Sequence, residues 1–145
     1  MIKIVCVGKI KENYLTELIN DYLKRINKYH KLEIIEVKDN DNMKVERDNL
    51  LKVVDCKDYN IALCINGKSY TRLEFATHLN NLFNHNSNIT FIIGGSNGLD
   101  EEVLKLCEEK LSFSTLTFSH GLFRGILLEQ IYRSFKINNN ESYHK

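Results

Sequence analysis

Apolar positions along the chain change period repeatedly. Ile2 to Val7 alternates and is rich in β-branched residues, which predicts a strand closed by Gly8-Lys9. From Asn13 to Tyr29 the apolar residues fall at Leu15, Leu18, Ile19, Tyr22, Leu23 and Ile26, one stripe at helical spacing. Leu32 to Val37 reads as a second strand, Lys38 to Asn42 as a polar turn, and Met43 to Val54 as a short, weaker helix. Asn60 to Ile65 is almost wholly apolar, as a strand covered on both faces requires, and Asn66-Gly67-Lys68 reads as a turn. Thr71 and Glu74 have capping-box spacing and start a helix to about Asn84. Ile89 to Ile93 is a fourth strand, followed at once by Gly94-Gly95-Ser96-Asn97-Gly98. Asp100 and Glu101 open another helix, where acids suit the positive dipole end. Ser112 to Phe118 alternates as a fifth strand, and Leu122 to Ile137 forms the last helix before a polar tail, Asn138 to Lys145.

This order predicts an α/β fold with a parallel sheet and helices on both faces. In such sheets ligands bind outside the carboxyl ends of the strands, so the informative loops follow Val7, Ile65, Ile93 and Phe118. The length of 145 residues suits a single domain over 1–145 that buries its own core. The longest unbroken apolar run is about five residues, against roughly 20 for a membrane span. The amino terminus is too short and too alternating for a signal peptide, so no membrane and a cytoplasmic location are expected. Cys6, Cys56, Cys64 and Cys107 form no C-x-x-C pair, and the five histidines have no metal spacing. Free thiols and no metal are expected.

The net charge of +1 hides an asymmetry. Residues 1–31 carry a net +4, residues 32–109 a net −6, and residues 110–145 a net +3. Basic ends suit a polyanion if the fold brings them together, although scattered solvated charge explains the same pattern. Three segments have the chemistry for a site. Three glycines in Gly94–Gly98 permit close backbone approach and leave amides free, but the spacing is not a dinucleotide fingerprint. The hydroxyl-rich segment Phe113–His120 suits a small ligand or a plain sheet edge with a solvated His. Arg124 and Arg133 are nine residues apart, so a helix turns them about half a turn from each other. Tyr143-His144-Lys145 joins an aromatic to cations at the chain end, suited to a base and a phosphate.

Taken in order, several segments resemble the RlmH family, the ribosomal RNA large subunit methyltransferases H of the SPOUT superfamily. They are Met1-Ile2-Lys3-Ile4…Val7-Gly8-Lys9, Leu32–Val37, Phe91–Leu99, Leu111–Ser114, Leu127–Arg133 and Tyr143-His144-Lys145. The resemblance implies a SPOUT fold with a carboxyl-terminal trefoil knot, and a homodimer. It implies methyl transfer from S-adenosylmethionine to N3 of a pseudouridine in 23S rRNA, on the assembled ribosome. It carries the cofactor contacts to Leu63, Gly94, Phe113, Ser114, Thr115, Leu116, Thr117 and Phe118. Candidates for the proton-transfer group are His120, Tyr143 and His144. Arg124, Arg133 and Lys145 are the implied phosphate holders.

The chain departs from the family's usual pattern at a few positions. Ser119 stands where Pro is usual, Gly125 where a β-branched residue is usual, and Asn139-Asn140 where Arg-Gly is usual. The stretch between Val37 and Leu50 is short. These changes bear on RNA affinity and tail geometry more than on cofactor binding. A ribosome-binding homologue without turnover and an unrelated doubly wound nucleotide-binding domain are the competing readings.

Overall fold

The computed structural model describes residues 1–143. The alternating pattern becomes β1 (Ile2–Val7), α1 (Asn13–Ile26), β2 (Leu32–Val37), α2 (Met43–Leu51), β3 (Tyr59–Lys68), α3 (Arg72–His85), β4 (Ile89–Ile93), α4 (Glu101–Leu104), β5 (Glu109–Leu111) and α5 (His120–Asn138). The strands form one parallel sheet in the order β2-β1-β4-β3-β5.

The period-2 rule divides β1 between two cores. Ile2, Ile4 and Cys6 face a cluster that takes Ile19 and Ile26 from α1, Phe75 and Leu79 from α3, and Leu127 and Ile131 from α5. Val5 and Val7 face the opposite cluster, with Leu50 of α2 and Val103 of α4. The first layer is the thicker, and α5 lies across it between α1 and α3. Leu127, Leu128 and Ile131 are all fully buried, and the buried residues of α5 cover about half its circumference.

Close approach of α1 to α5 depends on small residues. A Cβ on Gly125 would lie 2.8 Å from Leu18 Cδ2, and one on Gly121 would lie 2.8 Å from Leu15 Cδ1. The space of the family's usual branched residue at 125 is therefore filled by Leu18. Ser119, the N-cap of α5, has φ −64°, which is the value a proline ring would impose. The departure at 119 thus leaves the local backbone in a proline-compatible shape.

The start of α5 is also tied to the sheet. Arg124 is only 3% exposed. Its Nη1 donates to Glu36 Oε2 at 2.7 Å, and its Nη2 donates to the Gly8 carbonyl at 3.2 Å. The guanidinium thus joins α5 to the carboxyl ends of β1 and β2. It also opposes, in part, the burial that pushes the neighbouring Cys6 thiol up to about 11. Cys6 is buried, Cys64 and Cys107 are half-buried, Cys56 is exposed, and all four are free thiols.

The other expected boundaries shift in small ways. The capping box of Thr71 and Glu74 is formed on both sides, at 3.1 and 2.8 Å. Helix α1 stops at Ile26 because Asn27 turns its side chain to Leu23 and Leu32, joining the helix end to β2. Helix α2 ends at Leu51 rather than Val54.

Two expectations are corrected. The stretch Asn66-Gly67-Lys68 is not a free turn: β3 runs to Lys68, and both Leu63 and Lys68 pair with Leu111 across an irregularity. Gly67 allows this, since a Cβ there would lie 2.7 Å from the Leu111 backbone. Ser112 to Phe118 is not a strand either. Strand β5 is the short stretch Glu109–Leu111. After it the hydroxyls take over the hydrogen bonding: Ser112 Oγ donates to the Ser114 carbonyl, and Ser114 Oγ accepts from the Leu116 amide. Side chains that bond locally to backbone compete with a sheet ladder, and here they win.

Replacing Ile131 by Ala should remove about 2–5 kcal/mol of stability through the cavity it leaves. Leu122→Ala, at a position 41% exposed, should cost below about 1 kcal/mol. Urea titration of the two variants checks both values. Glu36→Gln should cost about 1–2 kcal/mol, because it leaves the Arg124 charge without its carboxylate. Glu36 is 38% exposed, so solvent screens part of that loss.

Candidate functional site

Parallel register sets the candidate site. Ala62 pairs with Ile92 and Leu63 with Leu111, so Ile93, Leu63 and Leu111 lie level on three adjacent strands. One step further, Gly94, Cys64 and Ser112 stand at the carboxyl edge. Leu63, Gly94 and the 112–118 loop, far apart in sequence, therefore share one edge of the sheet.

A cavity of about 260 Å³ opens at this edge. Its apolar wall is Phe75, Leu111, Phe113, Phe118 and Ile126. Its polar lining is Tyr70, Thr71, Ser112 and Gln130, and Arg72 is its cation. The rings form a continuous row. Phe75 meets Phe113 edge-on at 6.1 Å, Phe113 meets Phe123 edge-on at 5.3 Å, and Phe118 stacks on Phe123 at 5.9 Å. Apolar walls with a few convergent polar groups suit a small organic ligand with a charged end.

The rim is braced by a cluster that sequence reasoning did not find. Tyr70 Oη donates to Glu109 Oε2 at 3.1 Å, and His78 Nε2 lies 2.6 Å from Glu109 Oε1. The Tyr70 and His78 rings stack at 5.0 Å. Burial and the adjacent Glu109 carboxylate push the Tyr70 phenol up to about 12. Glu109 begins β5 and Tyr70 leads into α3, so this contact holds the two sides of the cavity mouth together. Only the start of a helix just beyond a carboxyl strand end pointed here in the sequence.

The named cofactor residues divide into two groups. Phe113 and Phe118 line the cavity. Leu63 and Gly94 stand on the same edge but do not line it, and Ser114 to Thr117 form the outer part of the loop, with Leu116 72% exposed. The closeness that Gly94 permits is to its own loop: a Cβ there would lie 2.6 Å from the Gly98 carbonyl oxygen. A bulky residue at 94 would thus break the loop itself, and it is no clean probe of ligand binding.

Arg124, an implied phosphate holder, does not stand free on the surface. It is buried and spends its guanidinium on Glu36 and Gly8. Arg133 points elsewhere, as the half-turn between them requires. Its Nη2 lies 2.9 Å from Glu129 Oε2, and its guanidinium sits 4.9 Å over the Tyr143 ring. His120 is half-buried at the first position of α5. Tyr143 is half-buried with its phenol oxygen 2.8 Å from that of Tyr22. Burial, the Tyr22 phenol and the Glu129 carboxylate all push Tyr143 far above the ordinary phenol value. His144 and Lys145 lie outside the described residues.

Among the described residues, no group of three or more His, Cys, Asp or Glu could hold a metal ion. No helix among them is long and apolar enough to cross a membrane.

Comparison with known proteins places this edge in context. The family model described as Predicted SPOUT methyltransferase matches residues 1–144. The chain is 46% identical to the Putative ribosomal RNA large subunit methyltransferase H of Methanococcus maripaludis (strain C5 / ATCC BAA-1333), over 99% of both chains. It is equally 46% identical, again over 99% of both, to the Ribosomal RNA large subunit methyltransferase H of Clostridium botulinum (strain Kyoto / Type A2). Among solved structures, a probable methylase family protein from Haemophilus influenzae Rd KW20 superposes with a TM-score of 0.58 at 15% identity, covering 99% of this chain and 70% of that one. That likeness concerns the fold. A five-stranded parallel sheet with helices on both faces and a whole-chain family match lead to one assignment: the chain belongs to the SPOUT methyltransferase family.

Proposed function

We propose that the protein methylates N3 of a pseudouridine in 23S rRNA on the assembled ribosome, using S-adenosylmethionine, as a cytoplasmic homodimer with a knotted carboxyl-terminal part. The observation that carries this reading is the aromatic cavity at the carboxyl edge of β3 and β5, in a chain of this family. The close relatives named for rRNA large subunit methylation support the substrate.

The residues present fit the cofactor. Phe113, Phe118 and Phe75 offer apolar faces to a base and ribose. Arg72 offers a cation to a carboxylate, and Tyr70, Thr71 and Ser112 offer hydrogen bonds. When bound, the cofactor supplies an electrophilic methyl group. The chain's task is to align that carbon with the attacking ring nitrogen and keep water away. N3 must also lose a proton. The candidates for that proton transfer are His120, Tyr143 and His144.

Helices α1 and α5, drawn from the two basic segments of the chain, pack on each other. Leu116 and Leu122, 72% and 41% exposed, are apolar surface beside the candidate site and suit contact with a second copy.

Labelled methyl from S-adenosylmethionine should appear at one pseudouridine of 23S rRNA when the protein meets ribosomes from cells lacking the enzyme. Cofactor binding without transfer would favour a ribosome-binding homologue lacking turnover. Phe118→Ala should weaken cofactor binding about tenfold by removing one wall of the cavity. Leu73→Ala, on the exposed face of α3, should leave it unchanged. Calorimetric titration distinguishes the two.

A further inference from the structure

The polar groups that line the cavity differ in where their protons go. The Glu109 carboxylate only accepts, so Tyr70 gives its one phenol proton to Glu109 Oε2, at 3.1 Å. His78 occupies the other carboxylate oxygen at 2.6 Å. Towards any further partner Tyr70 Oη can therefore only accept. Ser112 follows the same rule: its Oγ donates to the Ser114 carbonyl at 3.2 Å, which leaves acceptor capacity alone. Gln130 gives an Nε2 proton to Glu129 Oε1 at 2.7 Å and keeps its carbonyl oxygen and one further proton.

The first residues of α3 have the opposite character. Thr71 Oγ1 accepts from the Glu74 amide at 3.1 Å, so its hydroxyl proton is available to donate. The Arg72 guanidinium has no acid and no hydrogen-bond partner among the described residues. It brings a fixed positive charge and only donors to the cavity lining. Around Tyr70 the charges are divided as well. Lys68 lies over the face of the ring, 4.9 Å from its centroid, whereas Glu109 stands at the oxygen.

Tyr70, Thr71 and Arg72 are thus consecutive residues that present an acceptor backed by a carboxylate, a donor, and a cation. A phosphate does not suit that set, because its oxygens would meet the acceptor-only oxygens of Tyr70 and Ser112. An α-amino acid does, since it carries an anion and a cationic donor one carbon apart.

We propose that Arg72 and Tyr70 form a subsite for an α-amino acid zwitterion, with the carboxylate on Arg72 and Thr71 and the ammonium on the Tyr70 oxygen. The proposal rests on the reading of this cavity as the cofactor site, and it places the methionine end of the cofactor at the start of α3. Glu109 is then a positioning residue: it fixes the direction of the Tyr70 proton, and so which partner the phenol oxygen takes.

Calorimetry of the full-length protein with three ligands tests this. S-adenosylmethionine carries both amino acid charges, its decarboxylated form keeps the ammonium, and methylthioadenosine has neither. Arg72→Gln should weaken S-adenosylmethionine about tenfold and leave the other two within about twofold. Arg72→Lys keeps the charge and should recover most of that loss. Tyr70→Phe should weaken S-adenosylmethionine and its decarboxylated form alike, about fivefold, and spare methylthioadenosine. Adenosine monophosphate should bind no more tightly than methylthioadenosine. Equal losses for all three ligands in either variant would overturn the subsite, since the cavity as a whole would then have been damaged. Unchanged S-adenosylmethionine binding in both variants, with Phe118→Ala still weakening it, would refute the subsite and leave the cavity reading standing. Adenosine monophosphate binding more tightly than S-adenosylmethionine would give the site to nucleotide phosphates and overturn the proposal. Failure of the wild-type protein to bind S-adenosylmethionine, or no effect of Phe118→Ala on that binding, would sink the cavity reading and the subsite with it.

Discussion

Helix α5 has to be buried on more than one side, and the rest of the molecule is arranged around that need. Leu127, Leu128 and Ile131 have no exposed surface, so the helix must be flanked by α1 and α3 as well as covered by the sheet. Burial of this extent brings a cost, because Arg124 goes under with its neighbours. Glu36 and the Gly8 carbonyl offset it. A buried cation paired in this way adds less net stability than an apolar residue of its size, but it tolerates few alternatives. The guanidinium has partners only when the first turns of α5 stand over the ends of β1 and β2. The pair therefore sets the position of α5 along the sheet as much as its strength of attachment.

From that position the candidate site follows. The segment between β5 and α5 has a fixed start at Leu111, held by β3, and a fixed end at His120, held by the helix. Eight residues must cross the carboxyl edge between those points, and their own hydroxyls satisfy part of the backbone there. Phe113 and Phe118 are thereby set against Phe75 and Ile126, and the cavity lies between them. The Glu109 cluster holds the opposite rim. The site thus stands on a sheet edge and two helices, with the loop itself supplying walls.

Much of the layout was legible from periodicity, since β1, β2, β4, α1 and α3 depend on local pattern and on capping that is visible in the letters. The misreadings have a common physical origin. Ser112 to Phe118 alternates as a strand would, yet a strand needs a neighbour, and beyond Leu111 the ladder to β3 ends. Gly67 looked like a turn residue because nothing in the sequence reveals that the Leu111 backbone passes 2.7 Å from its virtual Cβ. Arg124 looked like a surface cation because its partners are 88 and 116 residues away. The named residues Phe113 and Phe118 came from resemblance, whereas Tyr70, Thr71, Arg72 and Gln130 required the packing of α3 against α5. Spacing did separate Arg124 from Arg133, because a helix of known pitch decides that alone.

The departures from the family pattern are informative because each sits where the structure accommodates it. Ser119 keeps a proline-like φ, and Leu18 occupies the room left at Gly125. Asn140 takes the left-handed conformation expected of Gly. Outside glycine, Asn is among the residues for which that conformation costs least, so the reversal at the end of α5 is kept at a modest penalty. The Arg lost at 139 is different in kind, since Asn139 only bonds back to the Phe135 carbonyl and replaces no charge. Backbone geometry is therefore kept at Ser119 and Asn140 although the side chains differ, while Asn139 brings no charge to the tail.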